Sequence, residues 1–245
     1  MKAMILAAGF GTRLKPITDS VPKALVPLAG KPMIEWIIGN LVSSGFSDIV
    51  VNVHHFSRMM KEYLSGITLP GAHIMISDES EKILDTGGAL FRARQLLDDG
   101  YPFLVHNTDI FSDIDLKDLY DLHCRNGNDV TLAVRNRKTS RSLLIDRNGW
   151  LKGWRNNITG ETILVSDTDV DLIPVAFSGI HVAGPSVFSM MGDREVFPLI
   201  PYYLRLAENY KVAVYFHNEG NWIDMGNLEG LKQAEEYLMM KKLAK

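Results

Sequence analysis

The stretch KAMILAAGFGTRL, residues 2–14, decides the fold because an apolar run turns directly into a glycine-containing loop. Residues 3–7 predict a short buried strand, and the loop that follows presents Gly9 and Gly11 before Arg13. Small residues let backbone N–H groups approach phosphate oxygens without obstruction by side chains. Arg13 adds a planar fork of donors that suits the outer phosphates of a nucleotide. The stretch therefore predicts a strand followed by a phosphate-binding loop.

Short apolar runs alternate with helical spacing over the first half of the chain. The runs that predict strands are residues 3–7, 49–53, 73–76 and 103–106, and the stretches that predict helices are 32–45, 57–64 and 86–97. Pro32 suits the first turn of its helix, and Thr86 is expected to cap the third. Alternation of this kind implies parallel strands joined by right-handed crossovers, with helices on both faces of the sheet.

The second half of the chain is less regular. Further strands are predicted at residues 130–134, 175–182 and 212–216, and short hairpins over 143–157. Pro198 and Pro201 are expected to interrupt a helix around 196–209, and Asn227 is expected to cap a last helix through residue 240. We therefore predict a Rossmann-like α/β fold, a three-layer sandwich with a mostly parallel mixed sheet and a small irregular β lobe over the active site.

Composition narrows the class of protein. The 245 residues carry a net charge of -3, so a surface that tracks nucleic acid phosphates is disfavoured. Cys124 is the single cysteine, which excludes an intrachain disulfide and a cysteine-based zinc site and fits a reducing compartment. No stretch approaches the ~20 apolar residues of a membrane-spanning helix. We expect a cytoplasmic protein that binds neither membrane nor nucleic acid.

A second segment, stiffened by prolines, follows the glycine loop: Pro22-Lys23-Ala24-Leu25-Val26-Pro27, then Gly30-Lys31-Pro32. Leu14 stands where a dinucleotide fingerprint has its third glycine, and no P-loop Gly-Lys-Ser/Thr is present. Together the two segments resemble the signature of the sugar-1-phosphate nucleotidyltransferase family, Gly-x-Gly-x-Arg followed by Pro-Lys-Pro-Leu-x-Pro, with Ala24 in place of a proline. The resemblance implies a GT-A-like fold in one domain, residues 1–245, whose nucleotide-binding half is about 1–135 and sugar-phosphate-binding half about 136–245.

Two aspartates follow predicted strands. Asp109 comes after the strand that ends at His106, and Asp224 closes a short apolar run. Taken alone, an aspartate at position 109 more often caps a helix or a turn than binds a metal. Ligands of open α/β sheets do, however, bind beyond the carboxyl ends of the strands, where Asp109 would lie. The resemblance implies that both aspartates bind the catalytic Mg²⁺, which needs only a few carboxylates besides phosphate oxygens and water. Thr108 departs from the glycine usual before the first aspartate.

The resemblance also implies which residues contact the substrates, with Arg13 and Lys23 as the catalytic pair. The nucleotide-binding residues would be Leu6, Ala7, Ala8, Gly9, Gly11, Thr12, Arg13, Lys23, Glu79, Glu81, Thr86, Gly87, Gly88 and Asn107, and the sugar-phosphate-binding residues Ser178 and Gly179. Two glycines in the first turn of a helix reduce its stability, and close approach of a base or ribose would explain them. The alternative for Glu79 and Glu81 is that they lie in a solvated loop without contacting the base. The alternative for Ser178 is that it lies in an interior strand without contacting the sugar.

The implied reaction is the Mg²⁺-dependent transfer of a nucleoside monophosphate from a nucleoside triphosphate, UTP or GTP with UTP preferred, to a sugar 1-phosphate. The nucleophile is the phosphate of the sugar 1-phosphate, which is already an anion at neutral pH. Positioning and cationic groups should therefore carry the catalysis without a general base. The resemblance is to the short members of the family. The expected partners are the nucleoside triphosphate and the sugar 1-phosphate, and a homo-oligomer is a further possibility that the sequence leaves open. Alternatives are a Rossmann oxidoreductase, which lacks its third glycine here, a non-catalytic nucleotide-binding module, and a phosphocholine cytidylyltransferase with the same N-terminal signature.

Overall fold

A computed structural model of the protein describes residues 1–166, 171–189 and 195–243. The chain forms two compact units, and each unit contains segments that are distant in sequence. Unit 1 consists of Met1–Ile83, His106–Ile114 and Gly220–Lys245, and unit 2 consists of Leu84–Val105 and Asp115–Glu219. The expected nucleotide-binding and sugar-phosphate-binding halves concern ligands and stay a prediction.

The strands and helices are defined as follows. The strands are β1 (Lys2–Leu6), β2 (Pro27–Leu28), β3 (Lys31–Pro32), β4 (Asp48–Val53), β5 (His73–Asp78), β6 (Phe103–Asn107), β7 (Ile110–Ser112), β8 (Val130–Arg135), β9 (Arg141–Ile145), β10 (Leu151–Asn156), β11 (Thr162–Leu164), β12 (Ile173–Ala183), β13 (Val212–Phe216) and β14 (Trp222–Asp224). The helices are α1 (Met33–Ser43), α2 (Ser57–Gly66), α3 (Asp85–Arg92), α4 (Arg94–Leu97), α5 (Leu116–Asn126), α6 (Leu199–Leu206) and α7 (Leu228–Leu243).

Unit 1 contains the predicted parallel strands. β1 pairs in parallel with β4, which pairs in parallel with β5, so that the carboxyl ends of all three strands lie at one edge. The centre of β4 is fully buried, as expected for a strand covered on both faces. Helix α1 buries Ile34, Ile38 and Leu41 on one face and ends before Gly45, which has φ +89°. The alternation of strand and helix predicted from the sequence is confirmed in this unit.

Unit 2 is largely antiparallel. β8 pairs in parallel with β13 and antiparallel with β12, and β12, β9, β10 and β11 follow one another in antiparallel pairs. The hairpins expected over residues 143–157 correspond to β9 and β10. Asp115 caps helix α5 by accepting a hydrogen bond from the Asp118 N–H at 2.9 Å, and Gly127 ends the helix in the left-handed conformation.

Two helix predictions were wrong in detail. The helix expected at residues 86–97 is two helices, α3 and α4, and α3 begins before Thr86. The Thr86 hydroxyl does not cap that helix and instead accepts a hydrogen bond from the Leu199 N–H at 3.0 Å. Pro201 does not interrupt α6, because it lies in the first turn, where the backbone N–H has no intrahelical partner to lose.

The cap expected at Asn227 is confirmed. Its side-chain oxygen accepts a hydrogen bond from the Gly230 N–H at 2.9 Å, and α7 extends to Leu243. This cap fixes the chain direction immediately after β14, which carries Asp224 at its end. None of the helices over the described parts of the chain is long and apolar enough to cross a bilayer.

Candidate active site

The glycine loop after β1 is closed by its own hydrogen bonds. Gly11 has φ +66°, a conformation that residues with a side chain rarely adopt. Its carbonyl oxygen accepts hydrogen bonds from the Thr18 hydroxyl at 2.8 Å and the Leu14 N–H at 2.9 Å. A Cβ at Gly11 would stand 2.8 Å from Thr18 Cγ2 and 3.1 Å from Lys23 Cβ. The glycine is therefore needed for the loop to pack against the segment that carries Lys23.

A buried polar chain ties together the strand ends beneath this loop. The Ala7 N–H donates to the Asn52 side-chain oxygen at 2.7 Å, and the Asn52 amide donates to Glu79 Oε1 at 2.9 Å. Asn52 is 2% exposed and Glu79 4% exposed, whereas Glu81 is exposed. Asn52 was not predicted, and its only signal in the sequence is a polar residue near the end of an apolar strand. Glu79 is thus held in one place, while Glu81 lies on the surface.

The two aspartates are brought together by a short antiparallel strand pair. β14 pairs with β7 so that Asp224 stands opposite Ile110, and the Met225 N–H donates to the Asp109 carbonyl oxygen at 2.8 Å. The Thr108 N–H donates to the Leu6 carbonyl oxygen at 3.1 Å, which anchors this segment beside the end of β1. Residues from opposite ends of the chain therefore meet at the carboxyl edge of the parallel strands.

Each aspartate is paired with one of the predicted catalytic cations. Lys23 Nζ forms an ion pair with Asp109 Oδ2, and both side chains are largely buried, 11% and 18% exposed. Arg13 donates to Asp224 through Nη1 at 3.0 Å and Nη2 at 3.4 Å, and Nη2 also lies 3.8 Å from Asp109 Oδ2. The four groups form one cluster with as many positive as negative charges.

Gly226 lies at the centre of this cluster. A Cβ on Gly226 would stand 2.5 Å from Arg13 Nη2, 2.8 Å from Asp224 Oδ1 and 2.9 Å from Asp109 Oδ2. Those two carboxylate oxygens are consequently at most 5.7 Å apart, the sum of the last two distances. The sequence drew attention to Asp224 but gave no reason to assign a role to Gly226, because nothing in the local pattern shows which distant groups approach it.

The charges in the cluster stabilise one another. Partial burial alone would raise the pKa of Asp224, but hydrogen bonds from Arg13 and the Gly226 N–H outweigh it and hold that pKa below its ordinary value. The hydrogen bond to Asp224 likewise raises the pKa of Arg13, against the opposing effect of burial. Burial lowers the pKa of the nearby His106 to about 4, so its imidazole is neutral at pH 7. The cluster therefore offers two cationic side chains and two carboxylates, with Arg13 and Asp224 each holding the other in its charged form.

The structure explains the two glycines of helix α3 without a ligand. The N–H groups of Gly87 and Gly88 donate to the Phe197 carbonyl oxygen at 2.9 and 3.2 Å. A Cβ on Gly87 would stand 2.8 Å from that oxygen and overlap the Phe197 ring, and a Cβ on Gly88 would overlap the Glu195 carbonyl oxygen. Close packing of the chain against itself accounts for both glycines, so they no longer argue for contact with a base.

Ser178 and Gly179 lie inside the sheet of unit 2. The Ser178 side chain is 0% exposed, and its hydroxyl is 2.7 Å from His217 Nε2. Gly179 has φ +75° and falls where the register between β12 and β8 shifts, between Phe177 and His181. The alternative reading of an interior strand describes Ser178 as the structure places it, with its hydroxyl turned away from solvent.

The predicted site residues divide between the units. Those in unit 1 are Leu6, Ala7, Ala8, Gly9, Gly11, Thr12, Arg13, Lys23, Glu79, Glu81, Asn107, Asp109 and Asp224, and those in unit 2 are Thr86, Gly87, Gly88, Ser178 and Gly179. Within the described ranges, no three His, Cys, Asp or Glu side chains are grouped as a metal site. A cation held by Asp109 and Asp224 would thus take its other ligands from phosphate and water, as Mg²⁺ commonly does.

Known proteins resemble this chain in sequence over most of its length. The sequence profile of the family described as nucleotidyl transferase matches residues 2–142. The N-acetylmuramate alpha-1-phosphate uridylyltransferase of Neisseria meningitidis serogroup B is 33% identical over 243 residues, covering 96% of this chain and 97% of that protein. A probable mannose-1-phosphate guanylyltransferase 1 of Oryza sativa subsp. japonica is 31% identical over 268 residues, covering 100% of this chain and 68% of that protein.

Solved structures share the fold. The UDP-glucose pyrophosphorylase of Acinetobacter baumanii superposes with a TM-score of 0.79 at 16% identity, covering 99% of this chain and 98% of that one. HddC of Yersinia pseudotuberculosis, solved with GMP-PN, has a TM-score of 0.75 at 19% identity, covering 97% and 99%. The prediction of a Rossmann-like α/β sandwich with a mixed, mostly parallel sheet is confirmed.

Proposed function

The chain belongs to the nucleotidyl transferase family, and we propose that it transfers a nucleoside monophosphate from a nucleoside triphosphate to a sugar 1-phosphate, releasing pyrophosphate. The family resemblance predicted from the sequence is confirmed by these relatives. The observation that carries the proposal is the convergence of Arg13, Lys23, Asp109 and Asp224 around Gly226, beside the glycine loop.

The reaction requires no proton transfer. An oxygen of the sugar phosphate forms a bond to the α-phosphorus of the triphosphate, and the bond to the bridging oxygen between the α- and β-phosphates breaks. Pyrophosphate leaves with that electron pair. The barrier lies in bringing two polyanions together and in stabilising the charge that develops, so fixed cations and N–H donors suit the task. The cluster supplies such cations in Arg13 and Lys23.

Arg13 and Lys23 are proposed to bind the phosphates. Both side chains project from the glycine loop and the segment that packs on it, and both are already held in place by carboxylates. On binding of the triphosphate, phosphate oxygens would replace the carboxylates as their partners. Arg13 suits this exchange because its side chain is 56% exposed. The backbone N–H groups of residues 8–12 would contact the triphosphate from the loop.

Asp109 and Asp224 are proposed to hold Mg²⁺. The fit rests on two carboxylate oxygens at most 5.7 Å apart, the sum of their distances from the Cβ position of Gly226, a residue that adds no side chain between them. Both aspartates would supply oxygen ligands to Mg²⁺, which takes a few carboxylates together with phosphate oxygens and water. Bound Mg²⁺ would neutralise phosphate charge during the transfer.

UTP is proposed as the donor, with GTP second. Two relatives that match 96% of this chain are named N-acetylmuramate alpha-1-phosphate uridylyltransferases, from Neisseria meningitidis and Caulobacter vibrioides, whereas those named guanylyltransferases or guanyltransferases include longer proteins. These names support a uridylyl transfer to an amino-sugar 1-phosphate. Glu79, fixed by Asn52, is proposed to meet the nucleotide, while Thr86, Gly87, Gly88, Ser178 and Gly179 stay predictions. The proposed compartment is the cytoplasm, in keeping with the unpaired Cys124.

Pyrophosphate release tests the proposed function. UTP, GTP, TTP and CTP would each be mixed with a panel of sugar 1-phosphates and with phosphocholine, in Mg²⁺, and pyrophosphate would be measured by a coupled assay. We expect turnover with UTP and a sugar 1-phosphate, and none with the Asp224→Asn variant. Turnover with CTP and phosphocholine alone would make the protein a phosphocholine cytidylyltransferase. A folded protein that binds nucleotide but releases no pyrophosphate with any pair would favour the non-catalytic module.

A further inference from the structure

We infer that Arg13 and Lys23 make the aspartate pair selective for a divalent cation that arrives with a triphosphate, and hold free divalent cations out. The inference rests on the proposed function, because it concerns the same cluster. Its basis is that each carboxylate already has a cation as its partner. The inference therefore assigns these side chains a role before any phosphate is present.

Each of the two carboxylates already faces a positively charged side chain. Lys23 Nζ occupies Asp109 Oδ2, and Arg13 spans both oxygens of Asp224, at 3.0 and 3.4 Å. Arg13 Nη2 is also 3.8 Å from Asp109 Oδ2, so the guanidinium reaches both aspartates. A divalent cation bound to these oxygens would stand next to two positive charges. Like-charge repulsion, added to the loss of both ion pairs, opposes its binding.

The low exposure of the Lys23–Asp109 pair strengthens this opposition. The Lys23 and Asp109 side chains are 11% and 18% exposed, so solvent screens their charges less than it would on an open surface. Gly226 adds no side chain to the cluster, so the groups that face the two carboxylates are the cations Arg13 and Lys23. Removing one cation should therefore open the carboxylates to a free divalent ion.

A triphosphate reverses the balance. It brings several negative charges and offers oxygens to Arg13 and Lys23 in place of the carboxylates, which are then released to bind the metal. Cation and nucleotide should accordingly bind with positive linkage, and the linkage must be reciprocal: each tightens the other by the same factor. Coupling between two ligands commonly amounts to about 5–150-fold in affinity, and two exchanged ion pairs place this site within that range.

Binding of Mn²⁺, used as a spectroscopic probe, tests the inference without turnover. Free Mn²⁺ would be titrated by electron paramagnetic resonance into the full chain, alone and with the non-hydrolysable α,β-imido analogue of UTP. The variants would be Lys23→Met and Arg13→Met, which remove charge, and Lys23→Arg, which keeps it. We expect the analogue to tighten Mn²⁺ binding to the unsubstituted protein by about tenfold or more, within the usual range of such couplings.

The substituted proteins give the decisive contrast. Lys23→Met and Arg13→Met should bind Mn²⁺ without nucleotide about tenfold more tightly than the unsubstituted protein, and should lose most of the tightening by the analogue. Lys23→Arg should behave like the unsubstituted protein, and Asp109→Asn should abolish the tight binding in every case. Arg13→Met is the safeguard against misfolding, because that side chain is 56% exposed.

Two failures are distinguishable. If the analogue binds but Mn²⁺ binds equally well with and without it, and neither charge removal changes that affinity, the inference is overturned and the proposed function survives. If neither UTP nor its analogue binds to the folded protein at all, the proposed function itself fails, and the inference fails with it.

Discussion

Replacing Gly226 by alanine is predicted to stop turnover while leaving the fold intact. The new Cβ would stand 2.5 Å from Arg13 Nη2, 2.8 Å from Asp224 Oδ1 and 2.9 Å from Asp109 Oδ2, whereas ordinary van der Waals contact begins at 3.4 Å. All three groups must move by several tenths of an ångström or more. They are the ends of side chains, so they can move without displacing the backbone.

The two consequences differ in size. Gly226 does not have a positive φ, so alanine fits the backbone. Alanine also reduces the entropy of the unfolded chain, which stabilises the folded protein by about 0.4–1 kcal/mol and offsets part of the free energy lost to steric overlap. We expect a change in unfolding free energy of no more than about 1–2 kcal/mol, at the low end for overpacking. A displacement approaching 1 Å in catalytic groups costs about 100-fold in rate. At 1.36 kcal/mol per tenfold, this is about 2.7 kcal/mol in the barrier.

Steady-state kcat and thermal unfolding would be measured together, with Gly39→Ala as the matched control. Gly39 lies exposed in helix α1 with nothing within 4 Å of its Cβ position, so alanine there should leave kcat unchanged and raise stability by about 0.5–1 kcal/mol. A Gly226→Ala protein with undiminished kcat at any Mg²⁺ concentration would refute the reasoning. So would a loss of kcat fully explained by unfolding.

Three further predictions concern the supports of the site. Asn52→Ala should lower the free energy of unfolding by about 2–4 kcal/mol, because it removes two buried hydrogen bonds, one of them to the Glu79 carboxylate. Chemical denaturation measures this change, and a loss below about 0.5 kcal/mol would contradict the prediction. Gly88→Ala should lower Tm strongly, since the new Cβ would overlap the Glu195 carbonyl oxygen. KM for the nucleotide should stay unchanged in the protein that remains folded. An altered KM at unchanged Tm would instead indicate that this glycine is needed for contact with the nucleotide. Because the pKa of Asp224 is lowered in the folded state, its pairing with Arg13 should stabilise the protein fully above pH 4 and progressively less as pH falls through that lowered pKa. The Tm difference between the unsubstituted protein and Arg13→Ala should thus be present at pH 7, worth no more than about 1 kcal/mol for so exposed a pair, and disappear in acid; a difference that grows in acid would oppose this assignment.

The sequence predicted the elements whose pattern is local. The apolar run before Gly11 predicted β1 and its loop, and the position of Asn227 predicted the start of α7. Asp109 and Asp224 were identified because each follows an apolar run, and because the family resemblance links them. Their separation, and their pairing with Arg13 and Lys23, required the structure.

What the sequence could not predict depends on residues that meet only in the folded chain. The reason for Gly88 is the backbone of Glu195, more than 100 residues later, and the reason for Gly226 is a guanidinium near the N-terminus. A single sequence shows a glycine but not what approaches it, so the glycines of α3 were assigned to a ligand and Gly226 to nothing. Asn52 escaped notice for the same reason, since its partners Ala7 and Glu79 come directly after two other strands, β1 and β5.

The central claim is that Asp109 and Asp224 hold one divalent cation while Arg13 and Lys23 hold the phosphates. Crystals grown with Mn²⁺ and the α,β-imido analogue of UTP would test it, because anomalous scattering locates Mn²⁺ independently of the surrounding atoms. The account predicts one strong peak bonded to an oxygen of each aspartate and to the analogue, with Arg13 and Lys23 moved onto phosphate oxygens. A peak bonded to only one of the two aspartates, or to neither, with Arg13 still on Asp224 and the analogue bound, would contradict it.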